Sequence, residues 1–145
     1  MIALDTNVLV HAFRADSPHH AAASDAVNAL VNSRERVGVP WPCVHEFLVV
    51  VTNPRAFVQP SSSAEALTSM NALLSQESVS PLGESRRHLA TLGGLLAASR
   101  AGGPKVHDAR IAAICLDHGV DELWTADRDF SFFPALTTRN PLVST

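Results

Sequence analysis

Four carboxylates in this chain stand where a lone carboxylate is disfavoured. Asp5 ends the apolar run Ile2-Ala3-Leu4, Glu46 lies inside the apolar stretch Val44 to Thr52, Asp108 opens the segment striped by Ile111, Ala112, Cys115 and Leu116, and Asp127 follows Leu123-Trp124-Thr125. Burial raises the free energy of the ionised form unless a cation or several hydrogen bonds compensate. If the four converge to about 4 Å, each like-charge pair repels by roughly 1 kcal/mol in water and about 4 kcal/mol at an effective dielectric near 20. A divalent cation relieves that repulsion directly, and an all-oxygen donor set selects magnesium or manganese over zinc. One or two such ions turn a bound water into hydroxide, hold a phosphate and stabilise a departing oxygen. Each acid alone has a simpler reading. Asp5 can form a turn ahead of Thr6-Asn7, Asp108 can be an N-cap, Glu46 can face solvent, and Asp127 and Asp129 can be turn acids around Arg128. The ordered set is more specific than any member.

The elements that must position these acids alternate between strands and helices. Short apolar runs at Ile2 to Leu4, Val37 to Val39, Ser78 to Pro81 and Glu122 to Thr125 read as strands. Between them lie helical stretches: Val8 to Phe13 with Thr6 and Asn7 as caps, Ser17-Pro18 to about Ser33 with Ser17 as N-cap, and Val44 to Thr52. Pro60 to Gln76 follows, with Ser62 and Glu65 in capping-box spacing. Glu84 to Arg100 carries Leu89, Leu92 and Leu96 on one face, and Ala101-Gly102-Gly103-Pro104 ends it with a left-handed glycine cap. The last helix runs from Asp108 to His118 and is closed by Gly119. This alternation predicts an α/β domain with a mostly parallel central sheet of four to five strands flanked by helices. Ligands in such sheets bind beyond the carboxyl ends of the strands, where Asp5 and Asp127 fall.

Composition narrows the rest. A chain of 145 residues, 46% apolar, with no repeat and no long linker, implies one domain over residues 1–145. Cys43 and Cys115 stand alone, which supports neither a disulfide framework nor a thiolate zinc site and fits the reducing cytoplasm. The first residues lack the pattern of a signal peptide, and no apolar run approaches the roughly 20 residues of a membrane-spanning helix. The formal net charge of -3 argues against holding nucleic acid by bulk electrostatics, so any nucleic acid must be engaged locally.

Taken together, Asp5-Thr6-Asn7-Val8-Leu9-Val10, Glu46 in Pro42-Cys43-Val44-His45-Glu46-Phe47-Leu48, Asp108 in Val106-His107-Asp108-Ala109-Arg110-Ile111-Ala112, and Leu123-Trp124-Thr125-Ala126-Asp127-Arg128-Asp129-Phe130 resemble the four motifs of the PIN-domain ribonucleases in order. The resemblance covers nearly the whole chain. It implies a magnesium-dependent endoribonuclease, with manganese able to substitute, whose metal site and catalytic acids are Asp5, Glu46, Asp108 and Asp127. Asp129 also fits the fourth position; Asp127 is favoured because it lies closer to the strand end. Thr6 and Asn7 would orient Asp5, and helix capping is their simpler role. The small single-domain form resembles the VapC toxins of type II toxin–antitoxin pairs. That likeness implies a homodimer, a VapB-type antitoxin, and RNA substrates such as tRNA or rRNA. Lys105, Arg110 and Arg128 are candidates for phosphate contacts, against the simpler reading of solvated surface cations. His11, His107 and His19-His20 match no metal-ligand spacing.

Two other readings stand beside this one. A phosphatase or a DNA flap-type nuclease would use the same carboxylate chemistry, although position 7 is Asn7 and not the second acid that an aspartyl-phosphate route expects. A catalytically silent PIN-like module would bind only a protein partner, and the presence of all the acids argues against it.

Overall fold

Each apolar run assigned above to a sheet is a strand in the computed structural model, which describes residues 1–143. Ser144 and Thr145, the last residues of the expected domain, lie outside the described residues. The strands are β1 (Ile2–Leu4), β2 (Val37–Pro40), β3 (Val79–Leu82), β4 (Glu122–Trp124) and β5 (Thr138–Arg139). They form one sheet in the order β3-β2-β1-β4-β5, and every pairing is parallel. All four residues of β2 are buried. A strand covered on both faces reads as a continuous apolar run, as β2 does, whereas the edge strand β3 exposes Ser80 and Pro81. β5 carried no such signal, since Thr138 and Arg139 are both exposed. It exists through backbone bonds to β4, Leu123 N–H to Thr137 O and Thr125 N–H to Arg139 O, each 2.9 Å.

Among the described residues six α-helices accompany the sheet: α1 (Thr6–Phe13), α2 (His20–Val31), α3 (Trp41–Val51), α4 (Ser63–Leu74), α5 (His88–Ser99) and α6 (Lys105–Asp117). α1 packs on α2 and α3, and α5 packs on α6. Phe47, Phe130, Phe133, Leu4, Ile114 and Leu123 are the largest fully buried side chains of the core. Strands β1, β2 and β3 are laid down in one direction across the sheet, and β4 then adds to the opposite edge of β1. The connections leaving β1 and β4 therefore diverge, which opens a crevice at the carboxyl ends of those two strands.

Helix starts differ from expectation in ways that bear on the site. α2 begins at His20, not at Ser17, because Ser17 is committed elsewhere: its Oγ pairs with His11 Nδ1 at 2.6 Å and accepts from His19 N–H at 3.1 Å. α3 begins at Trp41, directly after β2, with Pro42 in the first turn, where a missing N–H leaves no bond unmade. α6 begins at Lys105, so Asp108 sits at the end of its first turn and not at the cap. Half of the expected capping box on α4 is present, with Glu65 N–H donating to Ser62 Oγ at 3.1 Å. Glu65 Oε1 in turn accepts from the Ser62 hydroxyl, not from its backbone.

α5 is shorter than expected, and Leu89 is 80% exposed although Leu92 and Leu96 pack against the core. Its C-cap corrects the glycine assignment. Arg100, at φ 56° and ψ 23°, takes the left-handed conformation ahead of Ala101-Gly102-Gly103. A side chain there strains against its own backbone by about 1 kcal/mol, which glycine avoids. Arg100→Gly should therefore raise the stability of the protein by about 1 kcal/mol in thermal or urea melts; a destabilised variant would contradict the assignment of this cap.

Candidate functional site

Asp5 is the residue around which the crevice is built. It leaves β1 through a backbone bond to Trp124 O at 3.0 Å and becomes the N-cap of α1, its Oδ1 accepting from Thr6 N–H at 2.8 Å. Its side chain is almost wholly enclosed, and both oxygens are occupied. Oδ2 accepts from the Thr125 hydroxyl at 2.7 Å and from Asn7 Nδ2 at 3.2 Å, while Cys43 Sγ donates to Oδ1 at 3.5 Å. Burial pushes the Asp5 pKa up, opposed by the bonds from Thr125, Thr6 and Cys43, and the neighbouring Glu46 adds to the rise.

The other acids reach the same place from separate segments. Glu46 projects from α3 and accepts from the Thr6 hydroxyl at 3.1 Å, so Thr6 joins Glu46 to the loop that holds Asp5. Asp108 comes from the first turn of α6. Asp127 follows β4 and accepts from Asp129 N–H at 2.8 Å, starting a 3-10 turn over Arg128–Phe132. Asp5, Glu46, Asp108 and Asp127 line one cavity of about 230 Å³, together with Thr6, Asn7 and His11. One oxygen each of Asp108, Asp127 and Asp129 lie within 4.8 Å of one another. Asp129 does not line the cavity; it joins the acids from the outside. Burial raises the Asp108 pKa, Asp127 raises it further, Lys105 opposes the rise, and Asp129 and Asp5 add to it.

Of the three cations considered for phosphate contacts, two are already paired. Lys105 Nζ lies 2.7 Å from Asp129 Oδ2 and 4.0 Å from Asp108 Oδ2. Arg110 donates to Glu84 Oε1 at 2.6 Å. Arg128 is exposed beside Asp127. His19 and His20 do not line the cavity, but His11 does, one helical turn beyond Asn7. Its ring is fixed by Ser17 and sits edge-on to His19 at 5.0 Å; burial and His19 both lower its pKa. His107 lines an adjoining groove between α3 and α6, of about 480 Å³, which shares Glu46 and Asp108 with the acidic cavity and also carries His45.

Thr125 is a site residue that pattern reading passed over. Its Oγ1 donates to Asp5 and accepts from Asp127 N–H at 2.9 Å and from Asn7 Nδ2 at 3.2 Å. Asn7 closes the same network by accepting from Ala126 N–H at 2.9 Å. A buried hydroxyl at a strand end, two residues before an acid, was the available signal. Cys43, one turn before Glu46 on α3, was legible only as a small apolar residue, and its contact with Asp5 depends on how α3 packs.

The acids gathered at this cavity present carboxylate oxygens, with Asp108, Asp127 and Asp129 near enough to share one ion, and such oxygens suit a hard divalent cation. Residues 2–135 match the PIN domain. The chain is 36% identical over 142 residues to "Ribonuclease VapC43" of Mycobacterium tuberculosis, covering 98% of this chain and 96% of that one. It is 33% identical over 141 residues to "Ribonuclease VapC31" of the same species, covering 97% and 99%. Among solved structures, VapBC2 of Rickettsia felis, bound to a DNA fragment from its promoter, superposes with a TM-score of 0.70 at 18% identity, over 97% of this chain and 98% of that one. The sarcin-ricin-loop-cleaving toxin VapC20 of M. tuberculosis superposes with a TM-score of 0.68 at 15% identity, over 90% and 93%. The chain belongs to the PIN-domain family. Its relatives within that family are VapC ribonucleases.

Two consequences can be measured. Thr125→Val leaves Asp5, Asn7 and the Asp127 amide without their shared partner, and should destabilise the protein by roughly 1–3 kcal/mol in urea melts; a silent substitution would show that the network is dispensable. The raised pKa values of Asp5 and Asp108 also set a pH dependence. The folded state holds these protons more tightly than the unfolded chain, so their stabilising contribution is present in acid and lost as pH rises through the folded values. In chelator, Asp108→Asn should therefore gain stability relative to wild type between acid pH and pH 7, and divalent ions should erase that gain. A stability difference that does not change with pH would refute the linkage.

Proposed function

We propose that this chain is a magnesium-dependent endoribonuclease and the toxin half of a type II, VapBC-type pair, acting in the cytoplasm. The observation that carries the reading is the single cavity lined by Asp5, Glu46, Asp108 and Asp127, drawn from four separate segments to the reversal point of a parallel sheet in a PIN-domain chain. These four acids would hold magnesium, with manganese able to replace it, and the ion when bound supplies the Lewis acidity that makes water nucleophilic and screens phosphate charge.

The chain's own residues do the rest. Thr125, Asn7 and the Thr6 amide fix both oxygens of Asp5, so it need not reorganise as substrate arrives. The Thr6 hydroxyl aims Glu46 at the same cavity. The groove past His45 and His107 supports binding of an unpaired strand, since it is continuous with the acids and large enough for a nucleotide. Arg128, exposed beside Asp127, is placed to meet a backbone phosphate, and Arg110 could do so on leaving Glu84. Structured RNA such as tRNA or rRNA is the expected substrate class. A VapB-type antitoxin would occupy the same groove. The likeness to VapC ribonucleases also implies a homodimer.

Sequencing of the RNA ends produced by purified protein from total RNA, with magnesium and with chelator, tests the activity. Cleavage should require the ion, and Asp5→Asn and Asp108→Asn should each lower its rate by at least about 100-fold without unfolding the protein. Asp127→Asn should be more damaging than Asp129→Asn, and the reverse order would transfer the fourth position to Asp129. Unchanged cutting by Asp5→Asn, or cleavage of single-stranded or branched DNA with RNA left intact, would refute the ribonuclease assignment.

A further inference from the structure

Among the described residues, Lys105 is the cation that touches the acidic group. It stands three residues before Asp108 in the first turn of α6, so both side chains leave the same helix face. Its ammonium is 2.7 Å from Asp129, 4.0 Å from Asp108 and 4.6 Å from the centre of the Phe132 ring, which it overlies. Its side chain is 25% exposed, so the stem is packed and the charge is directed inward to the rim of the carboxylates that lie within 4.8 Å of one another. Arg110 is occupied by Glu84, and Arg14 by Asp16.

We propose that Lys105 is a built-in competitor for the divalent ion: its ammonium supplies the counter-charge of the acidic rim in the metal-free protein and opposes the entry of a second cation. The inference rests on the metal reading above. In the metal-free state, the positive charge beside Asp108 and Asp129 offsets part of the repulsion that would otherwise work against folding. When a doubly charged ion enters, the same ammonium is a like charge a few ångströms away. A compact charge on a flexible four-carbon stem can withdraw. The face of Phe132 attracts a cation even when the carboxylates have turned elsewhere, so the displaced ammonium keeps a partner. Lys105 thereby makes the protein less dependent on metal for folding and lowers its affinity for the ion below what the acids alone would give.

The test is calorimetric titration of manganese and of magnesium into the full-length protein as wild type, Lys105→Met, Lys105→Gln and Lys105→Arg. Both neutral variants should bind the ions about three- to tenfold more tightly than wild type and melt at lower temperature in chelator. The arginine variant should stay within about twofold of wild type. Equal or weaker binding by both neutral variants overturns the proposal, and weaker binding is the result expected if Lys105 instead holds Asp129 in place as a ligand. A wild-type protein that takes up neither ion saturably overturns the metal reading along with it; saturable wild-type binding that is unchanged in the neutral variants overturns this inference alone.

Discussion

Bringing carboxylates together in a half-enclosed place is electrostatically unfavourable, and most of the local structure near the crevice can be understood as managing that cost. Asp5 has the least access to water, so it has the most hydrogen bonds: a backbone amide, a threonine hydroxyl, an asparagine amide and a thiol all point at its two oxygens. Among the described residues Asp108 has no comparable set of donors; it is partly exposed and has Lys105 beside it. The different environments divide the labour. Asp5 is held at both oxygens, whereas Glu46 accepts one bond from the Thr6 hydroxyl and Asp127 one from the Asp129 amide.

The topology makes this gathering possible with short loops. Because β4 joins the free edge of β1 after the chain has moved away through β2 and β3, the residues just past β1 and β4 are neighbours although about 120 positions separate them in sequence. Thr125 and Asn7 bridge the two strand ends directly. Proline placement does similar work on the other side: β2 ends at Pro40 and α3 begins at once, which brings Glu46 within reach of Thr6 after little more than one turn. A longer connection would have left Glu46 free to move away from the cavity.

The electrostatic picture also reconciles an acidic chain with a phosphodiester substrate. A net charge of -3 gives no long-range attraction for RNA. The acids that contribute most to that charge near the crevice are the ones a divalent ion neutralises, so binding of substrate and ion should be coupled. Lys105 and Arg110, the cations beside the crevice, are each paired with an acid, Asp129 and Glu84 respectively.

The family resemblance and the alternation of short apolar strands with helices were legible in the residues, because parallel strands buried on both faces must be continuously apolar and because acids within such runs need a reason to be there. The stop at Gly119, the Ser62–Glu65 pair and the candidate acids could all be read locally, since each depends on neighbours within a turn. The sequence by itself thus determined the four apolar strands, the helical stretches between them and which carboxylates are chemically unusual. Tertiary structure decided what adjacency along the chain cannot carry: that Thr125 joins Asp5 to Asp127, that Cys43 faces Asp5, that Lys105 is bound to Asp129, that Asp127 and not Asp129 lines the cavity, and that β5 exists. Each of these is a contact between groups brought together by strand order and helix packing. Such contacts are set by the summed burial of the whole core and leave no periodic trace in the residues that make them.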